Sequence, residues 1–243
     1  MGRTRVAAAA LAAIMVLVAA TTVSGCGIVD RARGNLANNN PVVAATESSV
    51  VNISAVAPSC QKLLEGSGFV VSDHTVMSNA HVVAGSNSVT VQDTDGNSYD
   101  ATVVSYDPAV DIAILDVPGL PAPPLAFANA PAATGTDALV MGFPDAGSFE
   151  ATPARIREVV ELNGPDIYRT TTVTRQVYTI RGTVRQGDSG GPVVDLNGQV
   201  LGVVFGAAVD DAESGYALTA NEVSGELQNI GNTTAVATGS CIS

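Results

Sequence analysis

The stretch Val184–Phe205, "VRQGDSGGPVVDLNGQVLGVVF", sets a single serine, Ser189, between Asp188 and Gly190, and follows it with two apolar runs joined by "LNGQ". Turn chemistry alone explains part of this. Glycine supplies positive φ, Asp and Ser are common turn residues, and Asn-Gly between alternating apolar runs is a hairpin signal. A nucleophilic serine needs more: a base within hydrogen-bond reach and a carboxylate that orients the base. The rest of the chain decides between the two readings.

The chain has two histidines, His74 and His81, and neither follows Ser189. That excludes the α/β-hydrolase arrangement, in which the histidine comes after the serine. The subtilisin order needs an aspartate before the histidine. Asp30 and Asp73 are the candidates, the first in a polar linker and the second adjacent to His74. The order His, Asp, Ser stays open. His74 lies in the polar "SDHT", whereas His81 lies in "MSNAHVVAG", read as the end of an apolar strand over Thr75–Val83 before a Gly-Ser-Asn loop. A core histidine bonded to backbone is the alternative for His81. Among the acids of "SYDPAVDIAILDV", Asp107 precedes proline and Asp116 borders a connector. Asp111 opens the apolar strand, where burial without a partner would be costly.

Working outward, strand-like segments recur at short intervals: Val50–Val56, Gly68–Ser72, Ser88–Gln92, Tyr99–Ser105 and Asp111–Val117, then Ala138–Gly142, Ala154–Leu162, Val177–Val184, Gly191–Asp195, Gln199–Phe205 and Gly215–Thr219. "DTDGNS" (Asp93–Ser98) reads as a hairpin turn, since Ser98 stands where a calcium loop of the EF-hand type requires glycine. The proline-dense "PGLPAPPL" (Pro118–Leu125) cannot join a central strand and divides the chain into two β-rich halves. Val223, Leu227 and Ile230 give Asn221–Ile230 a short amphipathic helix. No metal-ligand cluster, phosphate loop or cofactor motif is visible.

The N-terminus reads as an address. Arg3 and Arg5 precede the uncharged stretch Val6–Val29, a pattern of export. "VSGC" resembles a bacterial lipobox, which would place lipid on Cys26. An uncleaved anchor and ordinary signal cleavage with secretion are the alternatives, and all three put the rest of the chain outside the cytoplasm. If Cys26 is lipidated, Cys60 and Cys241 are the remaining pair of three cysteines. An exported domain would bridge them, for about 5 kcal/mol in the chain-entropy model; two unpaired buried thiols are the alternative. Asp30–Glu47 reads as a flexible tether. The formal charge of −12 argues against nucleic acid and anionic lipid as partners. The arginine-rich stretch Arg155–Arg185 is either ordinary surface charge or a site for acidic substrate segments.

"SNAHVVAG", "VDIAIL" and "GDSGGPVVDLNGQVLGV" together resemble the trypsin/chymotrypsin-like proteases, in the bacterial branch that includes the HtrA type. "APSCQKLLEGSGFVVS", "ATPARIRE" and "LGVVFGAAVDDAESG" carry a narrower likeness to the protease domain of the membrane-bound acid-resistance serine proteases of mycobacteria and related actinobacteria. The resemblance implies an all-β fold of two six-stranded antiparallel barrels with a short C-terminal helix. The expected organisation is a signal or anchor over residues 1–25, a tether over 26–47 and a protease domain over 48–243. Within that domain, barrel one covers about 48–117, a connector 118–137 and barrel two about 138–243. The resemblance further implies His81 as general base, Asp111 as its orienter, Ser189 as nucleophile, the N–H groups of Gly187 and Ser189 as oxyanion hole, and the Cys60–Cys241 bridge. Thr183, followed by Val184, stands at the floor of the specificity pocket, with Gly206, Ala207 and Ala208 along a wall, so a preference for apolar side chains is expected. Asp188 is expected to pair with an arginine (Arg155, Arg157, Arg181 or Arg185) or with backbone donors. The chain departs from the family in having one short apolar segment at its start and no room after Ser189 for a peptide-binding domain. The expected function is peptide-bond hydrolysis of cell-envelope proteins, in acid or envelope stress; the alternative is a catalytically silent envelope lipoprotein that binds peptides or partner proteins.

Overall fold

The computed structural model describes residues 40–242. The export segment, Cys26 and most of the tether lie outside that range. No described helix is long and apolar enough to cross a membrane.

Twelve strands form two antiparallel rings. Barrel one holds β1 (Val50–Ala57), β2 (Lys62–Ser72), β3 (Thr75–Ser78), β4 (Ser88–Gln92), β5 (Ser98–Asp107) and β6 (Ile112–Asp116), closed in the order β1-β2-β3-β6-β5-β4. Barrel two holds β7 (Asp137–Gly142), β8 (Glu150–Pro165), β9 (Thr172–Arg181), β10 (Pro192–Asp195), β11 (Val200–Ala207) and β12 (Ser214–Thr219), closed as β10-β11-β12-β9-β8-β7. The tight turns are those the side chains dictate. Asp93 Oδ1 accepts from Asp95 N and Asn97 N, and Asp195 Oδ1 accepts from Asn197 N and Gln199 N, so each hairpin tip satisfies its own backbone.

Successive strand residues face opposite sides, and here both sides are apolar. In β6, Ala113 and Leu115 fill barrel one, while Ile112 and Ile114 face the seam between the barrels. In β7, Ala138 and Val140 fill barrel two, while Leu139 and Met141 face the seam. Phe69 and Met77 meet Val177, Val203 and Leu218 in that same seam cluster. A fully buried side chain of this size contributes about 1.5–3 kcal/mol, so the seam holds the barrels as one body and fixes the loops at its mouth.

Several elements differ from expectation, among them β2, which begins at Lys62 and not at Gly68. The end of the expected tether is ordered: Asn40 caps a short helix, α1 (Pro41–Thr46), with Oδ1 accepting from Val42 N at 2.9 Å, and Val43 is buried in the seam. Asn before Pro is a helix-start signal, and the buried valine anchors it. Thr75–Val83 is a strand only to Ser78, followed by the one-turn helix α2 (Ala80–Val83). The expected C-terminal helix is the single turn α3 (Ala220–Val223), capped by Thr219, and a 3-10 turn over Ser224–Asn229.

The tail returns from barrel two to barrel one. Val236 N donates to Val103 O, Gly85 N to Thr238 O and Thr238 Oγ1 to Ser86 O. A disulfide joins Cys60 and Cys241, their Cα atoms 6.1 Å apart.

Candidate active site

His81 sits on α2 because Val82 and Val83 on the same turn are buried in barrel one. The first turn of a helix has N–H groups without intrahelical acceptors. The N–H of His81 donates to Asp111 Oδ1 at 2.9 Å, and His81 Nδ1 lies 2.7 Å from Asp111 Oδ2. One carboxylate thus holds both backbone and ring. Asp111 lies one residue before β6 and does not begin it; its φ is +69°, a region costly for a side-chain-bearing residue. Its N–H donates to Asp107 O, and its carbonyl accepts from the buried Asn79 Nδ2 at 2.8 Å. Burial of the ring opposes its charging, but the charge and hydrogen bond of Asp111 outweigh this, with Arg175 acting against them, and the His81 pKa is raised above its ordinary value.

Ser189 enters from barrel two on the loop between β9 and β10. Its carbonyl accepts from Ser67 N of β2 at 2.8 Å. Gly66 packs against both Val82 and that carbonyl, which brings Ser189 and α2 to one place. Among the described residues, no hydrogen bond engages the Ser189 hydroxyl or His81 Nε2.

Two peptide units on this loop are pinned by their carbonyls. Gln186 O accepts from Asp145 N at 2.7 Å, and Asp188 O from Gly191 N at 2.9 Å. In a trans peptide the N–H points opposite to its carbonyl. The N–H groups of Gly187 and Ser189 are therefore turned away from those donors, and among the described residues neither is spent on a protein acceptor. Gly187 has φ +95°, and a Cβ there would collide with the Phe143 carbonyl. Gly190 has φ +84°, and a Cβ there would collide with Ser67 O and Ser78 Oγ. The sequence demands glycine at both for conformation and for space.

Ser67 is a functional residue that the sequence reading missed. Fully buried on β2, its Oγ donates to Gly187 O at 2.6 Å and accepts from Phe143 N at 2.8 Å, tying barrel one to the loop of barrel two. A polar residue inside the apolar run "GSGFVV" was the signal available for it.

The expected pocket residues separate. Strand β9 ends at Arg181, short of the expected Val184, and Thr183 beyond it is exposed. Val184 is the buried residue at this place, packed against Gly215 of β12, beside which the Gly206 carbonyl also lies. Next to Gly206, a register shift in β11 bulges Phe205, whose ring lies 6.1 Å from that of Tyr216. Asp188 takes its partner from backbone: Arg185 N donates to Oδ2 at 2.8 Å, while the Arg185 guanidinium pairs with Glu150. Burial raises Asp188 to about 6, only partly offset by that N–H and by the Arg185 charge. Three arginines of the stretch, Arg155, Arg157 and Arg181, line one surface cavity together with Asp211, Glu213 and Ser214, so acidic side chains share it with them. Arg155 pairs with Asp137, Arg181 lies 3.8 Å from Glu213, Arg157 donates to Ser214 Oγ, and Arg175 is buried. Among the described residues no cluster of His, Cys, Asp and Glu could hold a metal ion.

The trypsin-like peptidase domain profile matches residues 66–203. Serine protease Rv3671c of Mycobacterium tuberculosis is 66% identical over 206 residues, covering 84% of this chain and 52% of that protein. A probable periplasmic serine endoprotease DegP-like of Chlamydia pneumoniae is 29% identical over 161 residues, covering 65% of this chain and 32% of its own length. The chain thus spans about half the length, or less, of these curated relatives. The crystal structure of the Rv3671c protease in its active form superposes with a TM-score of 0.83 at 66% identity, covering 86% of this chain and 91% of that one. The inactive form gives 0.72 at 64% identity, covering 81% and 95%.

Proposed function

The chain belongs to the trypsin-like peptidases, and from that premise we propose that it is an exported serine endopeptidase, with Ser189 as nucleophile, His81 as general base and acid, and Asp111 as orienter. The single observation that carries the reading is the double grip of the Asp111 carboxylate on His81, at 2.9 and 2.7 Å, facing a loop whose Gly187 and Ser189 N–H groups have no protein acceptor. With Nδ1–H given to Asp111, Nε2 is left as the basic nitrogen. It takes the Ser189 proton as Oγ attacks the scissile carbonyl, and the two N–H groups receive the oxyanion. His81 then passes that proton to the leaving amine, and water repeats the sequence on the acyl-enzyme. Catalytic hydrogen bonds are commonly long before substrate binds and tighten in the Michaelis complex, which is where Ser189 Oγ and His81 Nε2 meet.

The substrates we propose are proteins and peptides of the cell envelope, met under acid or envelope stress. The periplasmic description of the DegP-like relative and the export signal at Arg3–Val29 support that location; a membrane tether through Cys26 or the apolar segment belongs to the same proposal. Val184, Gly206 and Phe205 favour an apolar side chain at the cleaved position.

The test is fluorophosphonate labelling together with casein hydrolysis. Labelling and hydrolysis by the wild type, with Ser189→Ala silent and down about 10⁶-fold in kcat, is the expected result. A folded, disulfide-intact wild type that neither labels nor hydrolyses would instead be the peptide-binding lipoprotein.

A further inference from the structure

Arg175 of β9 is 6% exposed, the one arginine of its stretch drawn into the protein. Among the described residues no carboxylate pairs with it. Its Nε donates to Ala109 O at 2.7 Å, Nη1 to Pro165 O at 3.1 Å and Nη2 reaches Pro108 O at 3.5 Å. A buried guanidinium on carbonyls alone gives up solvation that a simple structural contact would not require. What it holds is specific: Pro108 and Ala109 belong to barrel one, in the turn that ends at Asp111.

The other polar groups of that turn are also engaged. Asp107 Oδ1 accepts from Ala109 N at 2.7 Å and Val110 N at 3.0 Å, and Asp107 O accepts from Asp111 N. Of the three carbonyls left over, those of Pro108, Ala109 and Val110, Arg175 takes the first two. Just before the turn, the Tyr106 hydroxyl meets that of Tyr168, which lies between β8 and β9. The β8–β9 hairpin of barrel two therefore grips, at Tyr106, Pro108 and Ala109, the turn that holds Asp111 at a positive φ.

We propose that Arg175 is a positioning residue for the Asp111–His81 pair, its guanidinium in barrel two holding the barrel-one turn that presents the carboxylate. This rests on the peptidase reading above, and it makes the general base a joint product of both barrels.

The test compares Arg175→Met, which removes all three donors, with Arg175→Lys, which reaches one carbonyl in place of the fork. Two quantities are read: kcat and KM on a peptide substrate, and the downfield proton resonance of His81 Nδ1–H in the Ser189→Ala background. Arg175→Met should lose or broaden that resonance and lower kcat about 10- to 100-fold, the range for losing hydrogen bonds to a charged donor, with KM within about twofold. Arg175→Lys should fall between it and the wild type in both. A resonance unchanged in Arg175→Met overturns the proposal, whatever kcat does. Should Arg175→Met fail to fold, wild-type kcat and resonance in Arg175→Lys overturn it, and a joint partial loss supports it. The resonance needs no turnover, so a wild type inert to fluorophosphonate would sink the peptidase reading while leaving this test intact.

Discussion

In barrel one the chemistry-bearing side chains hold each other: the Asp111 carboxylate takes the N–H and the ring of His81. Barrel two brings the Ser189 hydroxyl and, beside it, backbone N–H groups that other backbone groups hold. Asp145 N and Gly191 N fix the peptide units whose N–H groups belong to Gly187 and Ser189. The difference follows from the task. A base needs its pKa and tautomer set, which takes a charge. An oxyanion hole needs neutral donors in fixed positions, which takes glycine turns and close packing. Each barrel also borrows from the other: Ser67 crosses to the Gly187 carbonyl, and Arg175 crosses to the Asp111 turn.

Breaking the barrel-one device should cost the most. Asp111→Asn keeps the shape but removes the charge and lets the wrong His81 tautomer form, for a loss in kcat of about 10⁴. The sign with pH is fixed by the same pair. The Asp111 charge and hydrogen bond raise His81 against the effect of burial, so the wild type loses kcat/KM below a pH that lies above His81's ordinary value of 6.5. In Asp111→Asn that limb should move to lower pH. Stability follows the same linkage: the contribution from charged His81 is full below its unfolded pKa and is lost as pH rises through the folded one. A pH profile of kcat/KM whose acid limb stays in place would show that the carboxylate does not set the base.

Breaking the barrel-two device should cost less, because one donor of two is displaced. In Gly187→Ala the new Cβ meets the Phe143 carbonyl at φ +95°, so the peptide must turn or shift. The expected loss is about 10²–10³ in kcat, with the His81 Nδ1–H resonance unchanged. A loss below tenfold would mean that the Gly187 N–H is not aimed at the reacting carbonyl, and a disturbed resonance would mean that the two devices are not separable.

Most strands and turns were legible because their cues are local: short apolar runs, Asp93 and Asp195 closing their own turns, and prolines between the halves; that they close into two barrels was implied by the family resemblance. Chain order and flanking pattern singled out His81, Asp111 and Ser189 as candidates, and the structure brings the first two to 2.7 Å. What misled was context that arrives from far along the chain. "AHVV" has the composition of a strand end, yet Asp111, thirty positions on, takes the N–H that starts a helix. Arg175 reads as one more surface arginine in a basic stretch, but two of its three acceptors belong to residues of the other barrel, 66 and 67 positions earlier. Thr183 and Val184, both expected in the pocket, differ in burial, the first exposed and the second buried, beyond a β9 that ends three residues before the expected boundary.

The smallest expected effect on turnover, and a distinct one on stability, belongs to Asp188, buried between the two nucleophile-loop turns. It is 3% exposed, and its Oδ2 accepts the Arg185 N–H at 2.8 Å. Burial raises it to about 6 from an unfolded value of 3.8, so between those pH values the folded chain binds a proton that the unfolded chain has released. Stability from this group is therefore full at low pH and is lost as pH rises through about 6. A shift of about two units corresponds to about 3 kcal/mol. Asn in place of Asp can still accept the Arg185 N–H and does not titrate. Urea melts at pH 4, 5, 6 and 7 should show Asp188→Asn gaining on the wild type by up to about 3 kcal/mol across that range. kcat should change little, since Asp145 N and Gly191 N, and not this carboxylate, aim the two donors. A stability difference flat with pH would mean that Asp188 is ionised at no cost, and its partner would then have to be a charge rather than the Arg185 N–H.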